Sequence, residues 1–351
     1  TTEIYTLSLH DALPILGWKV GRWQCRPFRT LSGSFKSSRQ KRKYINPNSQ
    51  NNNFKTLIMV HAIGECLYDL TFRSFYQVDA CPGGSMLNSA VSLARSNIPV
   101  TFYSETGNDQ AGELLVSFLK SEGIETRPVH LYPGKTSLAV AFLDNHGDAS
   151  YSFYQERPEE APVFQALDSN AGDVMLFGSS YALQLRNQEN IRKLAKSIKE
   201  RNGWVIYDPN FRKTAGCSKL IHEVVNDNIA ISGIVRGSDQ DFFNLFGVFD
   251  GKSAFEKVRS AGADYLIYTR NNKGVDLFTP EFEKHYDSIQ VQVVSTIGAG
   301  DNFNAGLISI LHGKKQNQLS EKFWDQAIAQ AIIFATEVCA STANFVAKKR
   351  P

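Results

Sequence analysis

From Leu57 onward, short apolar runs rich in β-branched residues alternate with stretches whose apolar residues recur at helical spacing, and no other feature restricts the fold as much. Residues 57–60, 100–103, 174–177, 204–207 and 265–268 read as strands. Between them, residues 85–96 place Leu87, Ala90, Val91 and Ala94 on one helical face, and residues 112–122 do the same with Leu114, Leu115, Phe118 and Leu119. Residues 188–201 read as a further helix. Strands separated by helices need crossover connections, so the expected fold class is α/β, with a mostly parallel central sheet covered by helices on both faces.

One stretch breaks the alternation. Residues 137–143 and 149–155 read as two strands joined by a polar turn at 144–148, with Tyr151 and Phe153 on one face and Ser150, Ser152 and Tyr154 on the other. A hairpin set into an α/β chain implies something for it to cover, the plainer alternative being an edge hairpin without function.

The segment with the most chemistry runs from Val293 to Gly306. Ile289, Val291, Val293 and Val294 predict a buried strand, Gly298-Ala299-Gly300 a tight turn, and Phe303, Leu307, Ile310 and Leu311 the apolar face of a helix. Strand, small-residue turn and helix N-terminus form an anion cradle, where exposed amides converge at the positive end of the helix dipole. Asp301 puts a carboxylate among those donors. A helix cap is the plain reading of it. The chemical reading is a general base that takes a hydroxyl proton while the amides of Gly298, Ala299 and Gly300 hold a phosphoryl group, as an alcohol kinase requires. Two other glycine patterns are decoys. Gly134-Lys135-Thr136 ends like a P-loop but has Val129 at the first glycine position, and Gly298-x-Gly300 begins a dinucleotide fingerprint but has Phe303 at the third.

Gly298-Ala299-Gly300-Asp301 with Asn304-Ala305-Gly306 resembles the C-terminal signature of the ribokinase-like (PfkB) carbohydrate kinases, and Pro82-Gly83-Gly84-Ser85-Met86-Leu87-Asn88-Ser89-Ala90 resembles their N-terminal signature. Gly64-Glu65 with Asp69, Gly107-Asn108-Asp109 with Gly112, Asp208-Pro209-Asn210 with Arg212, and Thr269 with Gly274 follow in the family's order, from about Lys55 to the end of the chain. The resemblance implies a three-layer ribokinase-like fold. Strands near 68–80 and 134–156 would form a small β lid over a sugar, excluding competing water and offering a surface for homodimerisation. It further implies that Asp69, Gly83, Gly84 and Asn88 meet the sugar, that Asp208, Asn210 and Arg212 border the site, and that Thr269, Gly274, Thr296 and Asn304 serve the nucleotide. ATP and Mg²⁺ are the implied cofactors. The sequence also departs from the pattern. Ser295 stands where the family has an Asp tied to an activating monovalent cation, which puts K⁺ dependence in question. Asp241, in Ser238-Asp239-Gln240-Asp241, keeps a shortened carboxylate where the family ties a Glu to phosphate and magnesium. Asn271 replaces a common Gly.

Composition sets the remaining bounds. The net charge of +3 divides unevenly: residues 1–54 carry nine Lys/Arg against Glu3 and Asp11, a net of +7, which leaves −4 for the rest. Residues 1–16 resemble translated adapter sequence, and residues 32–53 are rich in Ser, Asn, Gln, Lys and Arg, so this basic tail is expected to be disordered and non-native rather than a nucleic-acid arm. No apolar run approaches the roughly 20 residues of a membrane span. Five scattered cysteines without metal-ligand spacing suggest a reducing compartment, with the cytoplasm as default. The sequence therefore points to an ATP-dependent kinase acting on a sugar primary hydroxyl. Its pattern is most like the fructokinases, with ribose, 2-keto-3-deoxygluconate and nucleosides as other acceptors, and a sugar-binding regulator without turnover as the rival of another class.

Overall fold

The computed structural model describes residues 57–348, apart from Arg73, Phe75 and residues 144–148, 165–168, 212–218 and 315–318. The expected basic tail, the hairpin turn and Arg212 lie outside the described residues.

In chain order the elements are β1 (Val60–Ile63), β2 (Leu67–Phe72), β3 (Val78–Gly83), α1 (Ser85–Arg95), β4 (Val100–Gly107), α2 (Gln110–Ser121), β5 (Val129–Tyr132), β6 (Leu138–Leu143) and β7 (Ala149–Tyr154). Then follow β8 (Val174–Gly178), α3 (Gln188–Glu200), β9 (Trp204–Asp208), α4 (Lys219–Ile231), β10 (Ile234–Ser238), α5 (Asp239–Phe246) and α6 (Gly251–Ser260). The chain closes with β11 (Tyr265–Thr269), β12 (Val275–Phe278), β13 (Glu283–Tyr286), α7 (Ala299–Leu311) and α8 (Glu321–Cys339).

Nine strands form the main sheet in the order β13-β12-β11-β10-β9-β8-β1-β4-β5. The pairings from β5 to β11 are parallel. β12 and β13 are antiparallel because only short turns join them to the strands before, leaving no room for a crossover. Alternation along the strands separates two cores. Val60, Ala62, Val174, Leu176, Trp204 and Ile206 pack with α1, α2, α7 and α8. Ile63, Met175, Phe177, Val205 and Tyr207 pack with α3 to α6 on the opposite face. Strands buried on both faces are apolar at nearly every position, which is why they read as continuous runs in the sequence.

The hairpin that broke the alternation is β6 and β7, antiparallel with Leu138 opposite Tyr154. It belongs to a second sheet, β3-β2-β6-β7, in which β2 pairs parallel to β6 and antiparallel to β3. The expected lid segments are therefore one four-stranded sheet. Among the described residues, no helix is long and apolar enough to cross a membrane.

Three expectations need correction. No strand forms over Ile289, Val291, Val293 and Val294; all four are exposed, Val293 at 57% and Val294 at 55%. The antiparallel β12–β13 pair already closes that edge of the sheet, and the Val294 N–H instead donates to the Cys339 carbonyl at the end of α8, at 2.8 Å. The first strand begins at Val60 rather than Leu57, and Leu114 of α2 faces solvent.

Candidate active site

The N-termini of α1 and α7 meet over the carboxyl ends of the parallel strands, where open α/β sheets hold ligands. Gly298 caps α7 in the left-handed region (φ 79°) with no side-chain cap bond, so Asp301 does not cap its own helix. Asp301 is buried, and its carboxylate is held from α1: Ser85 Oγ donates to Oδ1 at 2.5 Å and Asn88 Nδ2 to Oδ2 at 2.8 Å. Ser89 Oγ donates to the Asp301 carbonyl at 2.8 Å. Burial pushes the Asp301 carboxyl up to about 6, against the opposing pull of the Ser85 and Asn88 donors. A carboxylate with that value is mostly ionised at neutral pH yet basic enough to accept a hydroxyl proton.

The cradle before Asp301 is tied down by a residue that the sequence reading passed over. Asn302 Nδ2 donates to the Gly298 carbonyl (2.7 Å) and the Asn344 carbonyl (2.9 Å), while Asn302 Oδ1 accepts from Ser92 Oγ. Of the three amides expected to hold an anion, that of Ala299 turns back to the Thr296 carbonyl in a long 3.3 Å bond. The geometry supplies a cation in addition. Arg236, near the carboxyl end of β10, lies so close beneath the turn that a Cβ on residue 300 would sit 2.6 Å from its Nη1. Arg236 Nη1 donates to Asp208 Oδ2 and Nη2 to Thr269 Oγ1, both at 3.0 Å, and the guanidinium lies 5.4 Å from the centre of the Phe303 ring.

This network gives Asp208 and Asn304 work that the sequence did not suggest. Asp208 is wholly buried: Oδ1 accepts the Asn210 N–H, and Oδ2 accepts from Arg236 and from Asn304 Nδ2 at 2.6 Å. Asn304 is wholly buried too and does not line the cavity. Asp208 thus holds Arg236 directly, and Asn304 braces Asp208 through Nδ2 while its Oδ1 is buried without a partner among the described residues. Asn210, in a left-handed conformation (φ 36°), does line the cavity.

That cavity has a volume of about 1060 Å³. Thr269, Gly274 and Thr296 line it, together with Arg236, Gly300 and the exposed Ile289, Val291 and Val293. Asp241 also borders it, but its carboxylate is engaged. Oδ1 accepts the Phe211 N–H at 2.7 Å, and Oδ2 accepts from the Ser238 N–H and hydroxyl in a capping box at the start of α5. Burial, then the nearby Asp208 charge, raises the Asp241 carboxyl above its ordinary value. Among the described residues, no three His, Cys, Asp or Glu side chains come together as a metal site.

The residues expected to meet a sugar lie on β2, on β3 and at the start of α1. Asp69 on β2 rests its carboxylate against Gly83 of β3 so closely that any Cβ there would overlap it. Gly84 leads straight into α1, which carries Asn88. Asn88 Oδ1 is buried without a partner among the described residues. Glu65 accepts from Ser179 Oγ and from the Tyr181 N–H, and Arg186 pairs with Glu105. The structure thus joins Asp69 to Gly83 and Asn88 to Asp301, and it brings Thr269, Gly274, Thr296 and Asn210 together around the cavity.

Ser85, Arg236 and Asn302 are the residues that sequence reasoning missed. Arg236 stands two positions before the Ser238–Asp241 pattern at the end of an apolar run, and that strand-end placement was the available signal. The assembled site can hold a polyanion over a cation and a helix N-terminus while a buried carboxylate faces a second ligand.

Comparison with known proteins agrees with this geometry. The pattern of the pfkB family carbohydrate kinases matches residues 58–342. A fructokinase of Rhizobium leguminosarum bv. trifolii is 30% identical over 275 residues, covering 75% of this chain and 82% of its own length. The aminoimidazole riboside kinase of Salmonella typhimurium is 27% identical over 299 residues, covering 82% and 90%. In structure, aminoimidazole riboside kinase from Salmonella enterica, complexed with aminoimidazole riboside and an ATP analogue, superposes with a TM-score of 0.70 at 25% identity, covering 83% of this chain and 96% of its own. Fructokinase from Vibrio cholerae O395, in its fructose, ADP and calcium ion bound form, superposes with a TM-score of 0.72 at 22% identity, covering 82% and 94%, and speaks for the ribokinase-like fold alone. This chain belongs to the pfkB family of carbohydrate kinases.

Proposed function

We propose that this sugar kinase transfers the γ-phosphoryl group of ATP to a primary hydroxyl of D-fructose, with Asp301 as general base. The observation that carries the reading is the placement of Asp301: a buried carboxylate raised to about 6, held by Ser85 and Asn88 of α1 and one residue after Gly300, which lines the cavity with Arg236. The cavity takes the nucleotide, with Thr269, Gly274 and Thr296 along it and the phosphates over Gly298, Gly300 and Arg236. Asp69 and Asn88 accept and donate to the sugar hydroxyls and turn one of them toward Asp301. Asp301 takes that hydroxyl's proton as the oxygen attacks phosphorus, while Arg236 and the α7 N-terminus offset the charge that gathers on the phosphoryl oxygens. Magnesium, carried in with the nucleotide, would neutralise phosphate charge, and the engaged Asp241 can reach it only through water.

Fructose is preferred over other acceptors because of the fructokinase relatives and the four-stranded lid beside Asp69. The aminoimidazole riboside kinase relative supports a riboside as the second reading. Exposed Val78, Phe142, Phe153 and Tyr154 on the lid sheet favour pairing of two copies there. The deciding experiment is ADP release from Mg-ATP across fructose, ribose, 2-keto-3-deoxygluconate and ribosides, with Asp301→Asn as control. A fructose-dominated signal lost in the control supports the proposal. Sugar binding without turnover would make the protein a sugar-responsive regulator.

A further inference from the structure

Asp301 is held by two donors from α1, and they are not equivalent. Asn88 offers Nδ2 to Asp301 and keeps a buried, unpartnered Oδ1, which suits it to a second ligand as well. Ser85 is buried at the first position of α1, and among the described residues its hydroxyl donates to Asp301 Oδ1 alone, at 2.5 Å. That separation belongs to the short, charge-assisted class of hydrogen bond, in which the acceptor is a carboxylate. One donor on each oxygen fixes both the tilt and the spin of the carboxylate before any acceptor arrives.

We infer that Ser85 is a positioning residue that holds the Asp301 carboxylate aimed and ionised in readiness for the acceptor hydroxyl. The inference rests on the reading of Asp301 as general base and adds to it the group that prepares the base. The need for such a group follows from burial, which by itself favours the neutral acid. The charged neighbours roughly oppose one another: Asp208 of β9 disfavours ionisation and Arg236 of β10 favours it. α1 presents no titratable side chain near its N-terminus. α8, packed along α7, spends Glu321 and Asp325 on Lys284 and Glu337 on the Ala347 N–H. The uncharged donors Ser85 and Asn88 are what remain to keep the base charged, and among the described residues Ser85 is the one whose side chain leaves no buried atom unpartnered for a second ligand.

The test compares wild type, Ser85→Ala, Asp301→Asn and the double variant. The first readout needs no turnover: the difference in melting temperature between each protein and its Asp301→Asn counterpart, followed from pH 4 to 9. In wild type that difference bends near pH 6, where Asp301 titrates. Loss of a hydrogen bond to a charged group moves the bend in Ser85→Ala upward by about one pH unit. The second readout is kcat with fructose and Mg-ATP. Its acid limb shifts equally, so turnover at pH 6 falls about fivefold to tenfold while turnover at pH 8.5 stays within about twofold. Coincident bends in wild type and Ser85→Ala, or a loss of rate equal at every pH, would reduce Ser85 to a packing residue and overturn the inference. A bend that moves while the acid limb stays put would remove Asp301 as the base and the positioning role with it. Should the alanine variant fail to fold, Ser85→Cys, with a far weaker donor of similar shape, must show the same upward shift.

Discussion

Arg236 and Gly300 share one space: the guanidinium occupies the volume that a side chain at residue 300 would need, with Nη1 only 2.6 Å from the position of a Cβ. A side chain in this turn would therefore fit only if the guanidinium moved. Gly300→Ala is expected to push Arg236 off the Asp208 and Thr269 oxygens and to lower kcat/KM for ATP by roughly 10²-fold, the usual effect of misplacing a catalytic group by about 1 Å. Steady-state kinetics with sugar saturating checks it, alongside a circular dichroism spectrum that should match wild type.

Asp301→Asn keeps the side chain's size and removes the proposed base. Its kcat is expected to fall by roughly 10²–10⁴-fold. Sugar affinity, measured by isothermal titration, should change far less. Near-normal turnover in the folded variant would remove Asp301 from the chemistry.

The same carboxylate makes stability depend on pH. Its folded value of about 6 lies above the ordinary 3.8, so the folded state takes up a proton between about pH 4 and 6. The stability contributed by this group is complete below about pH 4, is lost as the pH rises, and levels off above about pH 6. Asp301→Asn has no such group, so relative to wild type it should gain up to about 3 kcal/mol between pH 4 and pH 7. Urea denaturation of both proteins at several pH values measures the trend, and parallel curves would contradict it.

Asp241 separates a structural clamp from a metal ligand. With both of its oxygens accepting from Phe211 and Ser238, Asp241→Ala should cost roughly 1–3 kcal/mol, as expected when buried donors are left unsatisfied. The Mg²⁺ concentration for half-maximal rate should move less than about threefold if contact runs through water. A tenfold rise without loss of stability would make Asp241 a direct ligand.

Ser295 brings no carboxylate to the loop before the cradle, and its hydroxyl accepts the Ile297 N–H at 3.2 Å. Exchange of K⁺ for Na⁺ is accordingly expected to change turnover by less than about twofold, since neither ion gains a charged ligand there. A K⁺-specific activation would show that backbone carbonyls suffice to build the ion site.

The sequence was most legible where local pattern and tertiary role agree. Strands buried on both faces read as apolar runs, and α1 and α7 carried both their helical faces and their glycine entries. It misled where the two part company. Ile289 to Val294 has the composition of a strand, yet β13 closes the sheet and leaves Ile289, Val291 and Val293 lining the cavity. Asp208 and Asn304 read in one dimension only as polar residues of two motifs, and three-dimensional packing reveals that Asn304 bonds Asp208, which in turn bonds Arg236. Ser85 and Asn302 were hidden for the opposite reason. Each is an ordinary polar residue whose meaning depends on a partner more than two hundred residues away in one case, and on the chain's C-terminal segment in the other.

That long reach has a kinetic consequence. The bond from Ser85 to Asp301 closes a loop of 216 residues, and Ser89 and Asn88 reinforce it across nearly the same span. Contacts so distant in sequence form late, after the entropy of closing the loop has been met. A chain emerging from synthesis can complete the strands from β1 to β11 and still lack a fixed Asp301 carboxylate. On the proposed role of Asp301, catalytic competence would then report that α7 has docked against α1 and that folding is finished.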